Sequence, residues 1–155
     1  MKKQTLLGTL LGLSLLSSAT VAHIEQSEPL QSLRQSYFAL LGMTFGPMGD
    51  MVKGKIEWDN VLFTTWANDL NHAAQFGVER GFAPGSDKGM TRAKPNIWSN
   101  MDDFQSKLDN FRVAAASLAD IAAVGDSSAS REQFVATGGT CKACHDEYKS
   151  KGYLY

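Results

Sequence analysis

Cysteine and histidine are scarce in this chain of 155 residues, with two and three copies respectively. In an oxidising compartment two cysteines can pair as a disulfide, so their number alone leaves their role open. Charge of one sign is missing too: the net charge is −1. That gives no support for nucleic-acid binding, which requires a basic face. Internal repeats and low-complexity tracts are absent, and no linker rich in Pro, Gly and Ser follows residue 22. No stretch alternates apolar and polar residues with β-branched enrichment, so no strands are predicted. No apolar run reaches the roughly 20 residues needed to span a bilayer.

The chain's start carries what remains of membrane chemistry. Lys2 and Lys3 precede an apolar run over residues 6–16, and a small-residue stretch ends at Ala22. These are the three regions of a cleavable secretory signal, and the run is too short for an anchor. Residues 1–22 are therefore expected to be removed, leaving residues 23–155 as one domain exported to the periplasm, with no membrane partner. Two of the 15 basic residues leave with the leader, so 13 stand against 16 acidic ones in the mature chain.

The apolar pattern is helical throughout. From Glu28 onward, Leu30, Leu33, Tyr37, Leu41, Phe45 and Met48 recur at three- and four-residue spacing. Gly46-Pro47 is expected to kink or end that helix, because proline removes a backbone donor. A second helix starts near Asp59 or Asn60, with Leu62, Trp66, Leu70 and Ala73 on its inner face and Gly77 as its stop. A third follows Ser99, carries Met101, Phe104, Leu108, Phe111, Ala115, Leu118 and Ala122, and ends at Gly125. The fourth starts at Ser130, where Gln133 completes a capping-box pattern. A long connection, residues 78–100, separates helices two and three. The fold class expected is all-α, an antiparallel four-helix bundle.

The fourth helix holds Cys141, Cys144 and His145, and this is where chemistry concentrates. Cys-x-x-Cys-His is the attachment signature of c-type haem. Each thiol adds to one vinyl group, and the histidine reaches the iron. On a helix Cys141 lies about 40° from His145 and Cys144 about 100°, so all three can face one ring edge. Two other readings compete. A structural zinc site needs four ligands, and only His23 and His72 remain to complete one. A dithiol oxidoreductase needs a βαβ context, with the reactive cysteine at a helix start.

Several further stretches carry a family resemblance: "RQSYFALL" at residues 34–41, "MVKGK" at 51–55, "GFAPGSDKG" at 81–89, "PNIWS" at 95–99 and "CKACHDEYK" at 141–149. In this order the chain resembles the cytochromes c′, class II cytochromes c with the haem motif near the C-terminus of a four-helix bundle. The resemblance implies one covalent haem c, with Cys141 and Cys144 at the thioether positions and His145 as the ligand of a five-coordinate, largely high-spin iron. It places Arg34 and Gln35 near the haem edge, where a guanidinium can pair with a propionate. Phe38 falls at the distal position, where low-spin relatives carry a methionine. Thr91 and Arg92 fall near a propionate contact. Lys149 stands where relatives often carry arginine, without that residue's planar fork. By helical position Gly138 lies on the His145 face about two turns earlier, where a missing side chain would let a porphyrin approach the backbone; alternatively Gly138-Gly139 only loosens the helix.

Helical arithmetic bears on the distal side independently. Phe38, Leu41, Phe45 and Met48 fall within about 40° of the line through Arg34, whereas Met43 points about 140° away from Phe38. Met48 lies about 15 Å along the axis from Phe38. His72 is off its helix stripe and expected at the surface. The resemblance implies a non-enzymatic carrier for electron transfer, for nitric oxide and carbon monoxide binding, or both. It also implies a homodimer packed through the first two helices; the helical pattern itself, with Gln31, Gln35 and Thr44 on a mixed outer face of helix one, does not require one. A low-spin His/Met electron carrier and an exported dithiol oxidoreductase stand as the alternatives.

Overall fold

The computed structural model describes residues 29–154. The leader and His23 lie outside the described residues. Four long helices make the bundle: α1, Pro29–Val52; α2, Asn60–Ala74; α4, Met101–Val124; and α5, Ser127–Tyr148. A 3-10 turn, Val78–Phe82, and a one-turn helix α3, Asn96–Ser99, sit in the long connection. Among the described residues the only β pairing is a single bridge between Ala93 and Lys149. None of the helices is long and apolar enough to cross a membrane.

Three helix boundaries or faces differ from the sequence expectation, each for a local reason. α1 runs through Gly46-Pro47 to Val52. Proline costs a helix interior about 3 kcal/mol. Here the turn beyond it buries Met48 and Met51 completely, and Arg131 from α5 donates to the last carbonyls, Met51 O at 3.0 Å and Val52 O at 2.9 Å. The Arg131 guanidinium also sits over the Trp58 ring at 4.1 Å, a cation–π contact. α5 begins at Ser127, not Ser130. Asp126 is its cap, accepting from Ser128 N at 2.8 Å and Ala129 N at 3.1 Å. Gly125 precedes it in the left-handed region at φ 82° and closes α4, so two residues suffice to reverse the chain. Ser130 is buried, and Gln133 donates to Ala114 O of α4 in place of completing a capping box. In α2 the buried face is Phe63, Ala67, Leu70 and Ala74: Leu70 is as predicted, the other three each stand one residue on from Leu62, Trp66 and Ala73, and Leu62 is exposed.

Two apolar clusters fill the interior. One gathers Met48, Met51, Phe63, Phe111, Leu118 and Phe134. The other gathers Tyr37, Val78, Phe82, Ile97, Phe104 and Tyr148, where the long connection folds onto the bundle. α4 packs closely on both α2 and α5, whereas α1 and α5 touch little. That separation is what leaves room for a site.

Candidate haem site

A cavity of about 680 Å³ lies between α1 and α5, with α4 contributing Phe104, Leu108 and Phe111 to its lining. This volume falls within the range of about 300–1,000 Å³ common to cofactor sites. Every site residue expected from the sequence lines it: Arg34, Gln35, Phe38, Thr91, Arg92, Cys141, Cys144 and His145. Lys149 does as well.

The last helix brings the three motif residues to one wall. Cys141 packs against the first apolar cluster and Cys144 against the second, so the thiols stand at the junction of the two cores. Burial pushes both thiols upward, Cys144 to about 11. Burial thus favours the protonated thiol, the less nucleophilic form, where a reactive dithiol site lowers the value of its attacking cysteine. Burial, with the charges of Lys149 and Arg92, lowers His145 from its ordinary value, against an opposing pull from Asp146. That direction favours the neutral imidazole, the form that offers a lone pair to a metal. No cluster of three or more His, Cys, Asp or Glu suited to a metal ion exists among the described residues.

Facing this wall, α1 contributes Gln31, Arg34, Gln35, Phe38, Ala39, Leu41, Gly42 and Phe45. The Phe38 ring meets Tyr37 edge-on at 5.1 Å. No methionine is among the described residues lining the cavity. Met48 is fully buried in the first core, and Met43 is 71% exposed.

The polar residues of the cavity are engaged in ways the sequence did not show. The buried Arg34 guanidinium donates to Gly81 O, to Ser86 O at 3.0 Å and to Ser86 Oγ at 3.2 Å, and stacks over Phe82 and Trp98. It therefore fastens the long connection to α1. Gly81 allows this close approach, since a Cβ there would lie 3.0 Å from Arg34 Cγ and press on the arginine stem. Gln31 and Gln35 both donate to Met90 O, so they face the connection and not the outer side of α1. Thr44 turns its hydroxyl back to Leu40 O and Leu41 O of its own helix. Gly138 does not line the cavity; Phe45 packs where its Cβ would be, at 3.5 Å. His72 is exposed.

Sequence reasoning missed Lys107, Tyr148 and Tyr153 as lining residues. Lys107 adjoins the stripe residue Leu108, and only the packing of α4 against α5 turns it toward the cavity. Tyr148 donates from its hydroxyl to Asp103, and burial with that bond pushes its phenol up to about 12. Among the described residues four cations, Arg34, Arg92, Lys107 and Lys149, line the cavity, and no Asp or Glu does. An apolar slot with two thiols, a neutral imidazole and an excess of cations fits haem c, whose ring is apolar and whose two propionates are anionic.

An all-helical bundle whose last helix delivers Cys-x-x-Cys-His into such a slot defines a c-type haem protein of the four-helix-bundle class. Comparison with known proteins narrows this. The sequence profile of the family described as cytochrome C′ matches residues 30–149. The cytochrome c′ of Halomonas halodenitrificans is 37% identical over 123 residues, covering 76% of this chain and 93% of the relative. That of Cereibacter sphaeroides is 34% identical over 155 residues, covering 96% and 99%. The solved cytochrome c prime of Shewanella frigidimarina superposes with a TM-score of 0.76 at 39% identity, over 79% of this chain and 95% of that one. A mutant of the Alcaligenes xylosoxidans protein, solved as its nitric oxide complex, gives a TM-score of 0.72 at 32% identity, over 80% and 95%. The chain belongs to the cytochrome c′ family, and haem c is its cofactor.

Proposed function

We propose that this protein is a periplasmic haem c carrier, without catalytic turnover of its own, in which His145 is the only protein ligand to the iron. When bound, the haem supplies an iron that changes oxidation state and binds small neutral gases. Cys141 and Cys144 anchor it, and His145 offers a lone pair from one side. Arg92, Lys107 and Lys149, which line the cavity, would supply positive charge to the haem's anionic propionates. The observation that carries the five-coordinate, high-spin reading is the composition of the α1 wall. Phe38 occupies it with a side chain that has no lone pair, and no methionine reaches the cavity. Phe38 would give a bound gas no hydrogen-bond donor, which disfavours stable oxygen binding and leaves electron transfer and nitric oxide or carbon monoxide binding as the roles.

The absorption spectra of the oxidised and reduced protein test this reading. High-spin bands are expected in both, and a sharp low-spin α band in the reduced protein without added ligand would sink it. Phe38→Ala is expected to accelerate carbon monoxide association by opening the α1 side. An unchanged rate would show that Phe38 does not control entry.

The periplasmic assignment rests on the leader pattern of residues 1–22. Pairing as a homodimer through α1 and α2 is supported by the exposure of Leu40, Met43 and Val61, three apolar side chains on those helices. A sedimentation mass of one chain at micromolar concentration would exclude it.

A further inference from the structure

The five residues that follow α5 and its cap, Ser150–Leu154, have no helix or sheet of their own, yet they are held at many points. Ser150 N donates to Arg92 O at 2.8 Å, and Leu154 N to Thr91 O at 2.9 Å. Arg92 answers with its side chain, Nε to Ser150 O at 2.9 Å and Nη2 to Lys151 O at 2.8 Å. At the base of this lacing, Lys94 N donates to Tyr148 O at 2.9 Å. Lys94 Nζ adds bonds to Asp146 O and Glu147 O at 3.0 and 2.9 Å, covering the last carbonyls of the helix that bears His145. On the other side, Gln31 and Gln35 hold Met90 O. Residues 90–94 are thus a clasp joined to α1 at one end and to the tail beyond α5 at the other.

One side chain of this tail, Tyr153, lines the cavity. It does so while 64% exposed, so core burial does not account for its position. What accounts for it is the lacing: Leu154 is tied to Thr91 and Lys151 to Arg92, and of the two residues between them, Gly152 and Tyr153, it is Tyr153 that lines the cavity.

We propose that the tail is a strap forming one wall of the haem site, with Tyr153 as the residue that screens its mouth and Arg92 as the positioning residue that holds Tyr153 there. This assigns to Arg92 a role through the backbone of the tail in addition to its charge. It rests on the haem reading above. A ring at the mouth keeps water from the haem edge, and its removal raises the local dielectric, which favours the more highly charged oxidised iron. The reduction potential should then fall.

The test uses the haem-loaded protein with Tyr153→Ala, Tyr153→Phe, Arg92→Ala, Arg92→Lys and a chain ended after Lys151. Tyr153→Ala and the shortened chain should lower the potential and raise carbon monoxide association several-fold, while Tyr153→Phe, which keeps the ring, should leave both as they are. In Arg92→Ala, hydrogen exchange at the Ser150 and Leu154 amides should quicken, with the potential following Tyr153→Ala. Arg92→Lys separates the two roles of that residue, because it keeps the charge without the two-point hold on Ser150 O and Lys151 O. If it restores both wild-type exchange and wild-type potential, Arg92 acts by charge alone and its positioning role is overturned. If Tyr153→Ala and the shortened chain leave potential and association unchanged, the strap is not a wall of the site. A protein with a sharp low-spin spectrum would defeat the five-coordinate reading instead, and leave the exchange and potential results standing.

Discussion

Replacing Cys141 and Cys144 together by serine is expected to yield a chain with no covalently retained haem, read as an intact mass equal to that of the polypeptide alone. Each thiol adds its sulfur and its hydrogen across one vinyl double bond, a step that needs no oxidant and that a hydroxyl does not match. The two sulfurs stand at the junction of the two cores, one packed against each, so both are presented to the same slot. Single variants, Cys141→Ser or Cys144→Ser, should each retain one link and still carry the haem mass. Serine is close to cysteine in size and both positions are only partly buried, so the bundle itself should keep its helical content by circular dichroism. A double variant that still carries the haem mass after denaturation would show that the attachment lies elsewhere.

Phe63→Ala should have the largest effect on stability, a loss of about 3–5 kcal/mol in chemical denaturation. Phe63 is 1% exposed, stacks on Trp58 at 4.5 Å and meets Phe134 edge-on at 6.4 Å. Removing it leaves a void among neighbours that are themselves held: Trp58 lies under Arg131, and Phe134 stacks on Phe45 at 4.1 Å. Such a loss is a large part of the roughly 5–15 kcal/mol that holds an ordinary domain folded. Phe63 does not line the cavity, so the absorption spectrum of the folded variant should match that of the parent. A loss below about 1 kcal/mol would mean that this end of the bundle collapses onto the void without cost.

The legible parts of the chain were those in which one helix speaks for itself. The stripe of α4 was read correctly from Phe104 to Ala122, because a long regular helix with a single buried face repeats its signal many times. On α2 Leu70 was read correctly, while Leu62, Trp66 and Ala73 each fell one residue short of the buried position. Leu62 and Phe63 are adjacent and both apolar, and only packing decides which is buried. The start of α5 was misplaced because Ser130 and Asp126 can both cap a helix. Asp126 wins by standing directly after the left-handed Gly125. Pro47 marked a break that the tertiary structure overrides, since the turn beyond it is buried and capped from another helix.

The candidate site divides in the same way. Cys141, Cys144 and His145 lie within one turn, so their common direction follows from helical geometry alone. Phe38 was also readable, as one member of a stripe on α1. The roles of Arg34, Gln35, Thr91 and Arg92 were not. They line the cavity as expected, but their bonds run to Gly81, Ser86, Met90, Ser150 and Lys151, and to Leu154 through the Thr91 carbonyl. The sequence by itself determined the class of cofactor, the anchor and its histidine, and the helical framework, because each depends on residues a few positions apart. Only the tertiary structure decided how the long connection closes the site and that Tyr153 belongs to it. Those contacts join residues more than 40 positions apart through backbone groups, which every residue carries and no sequence pattern marks.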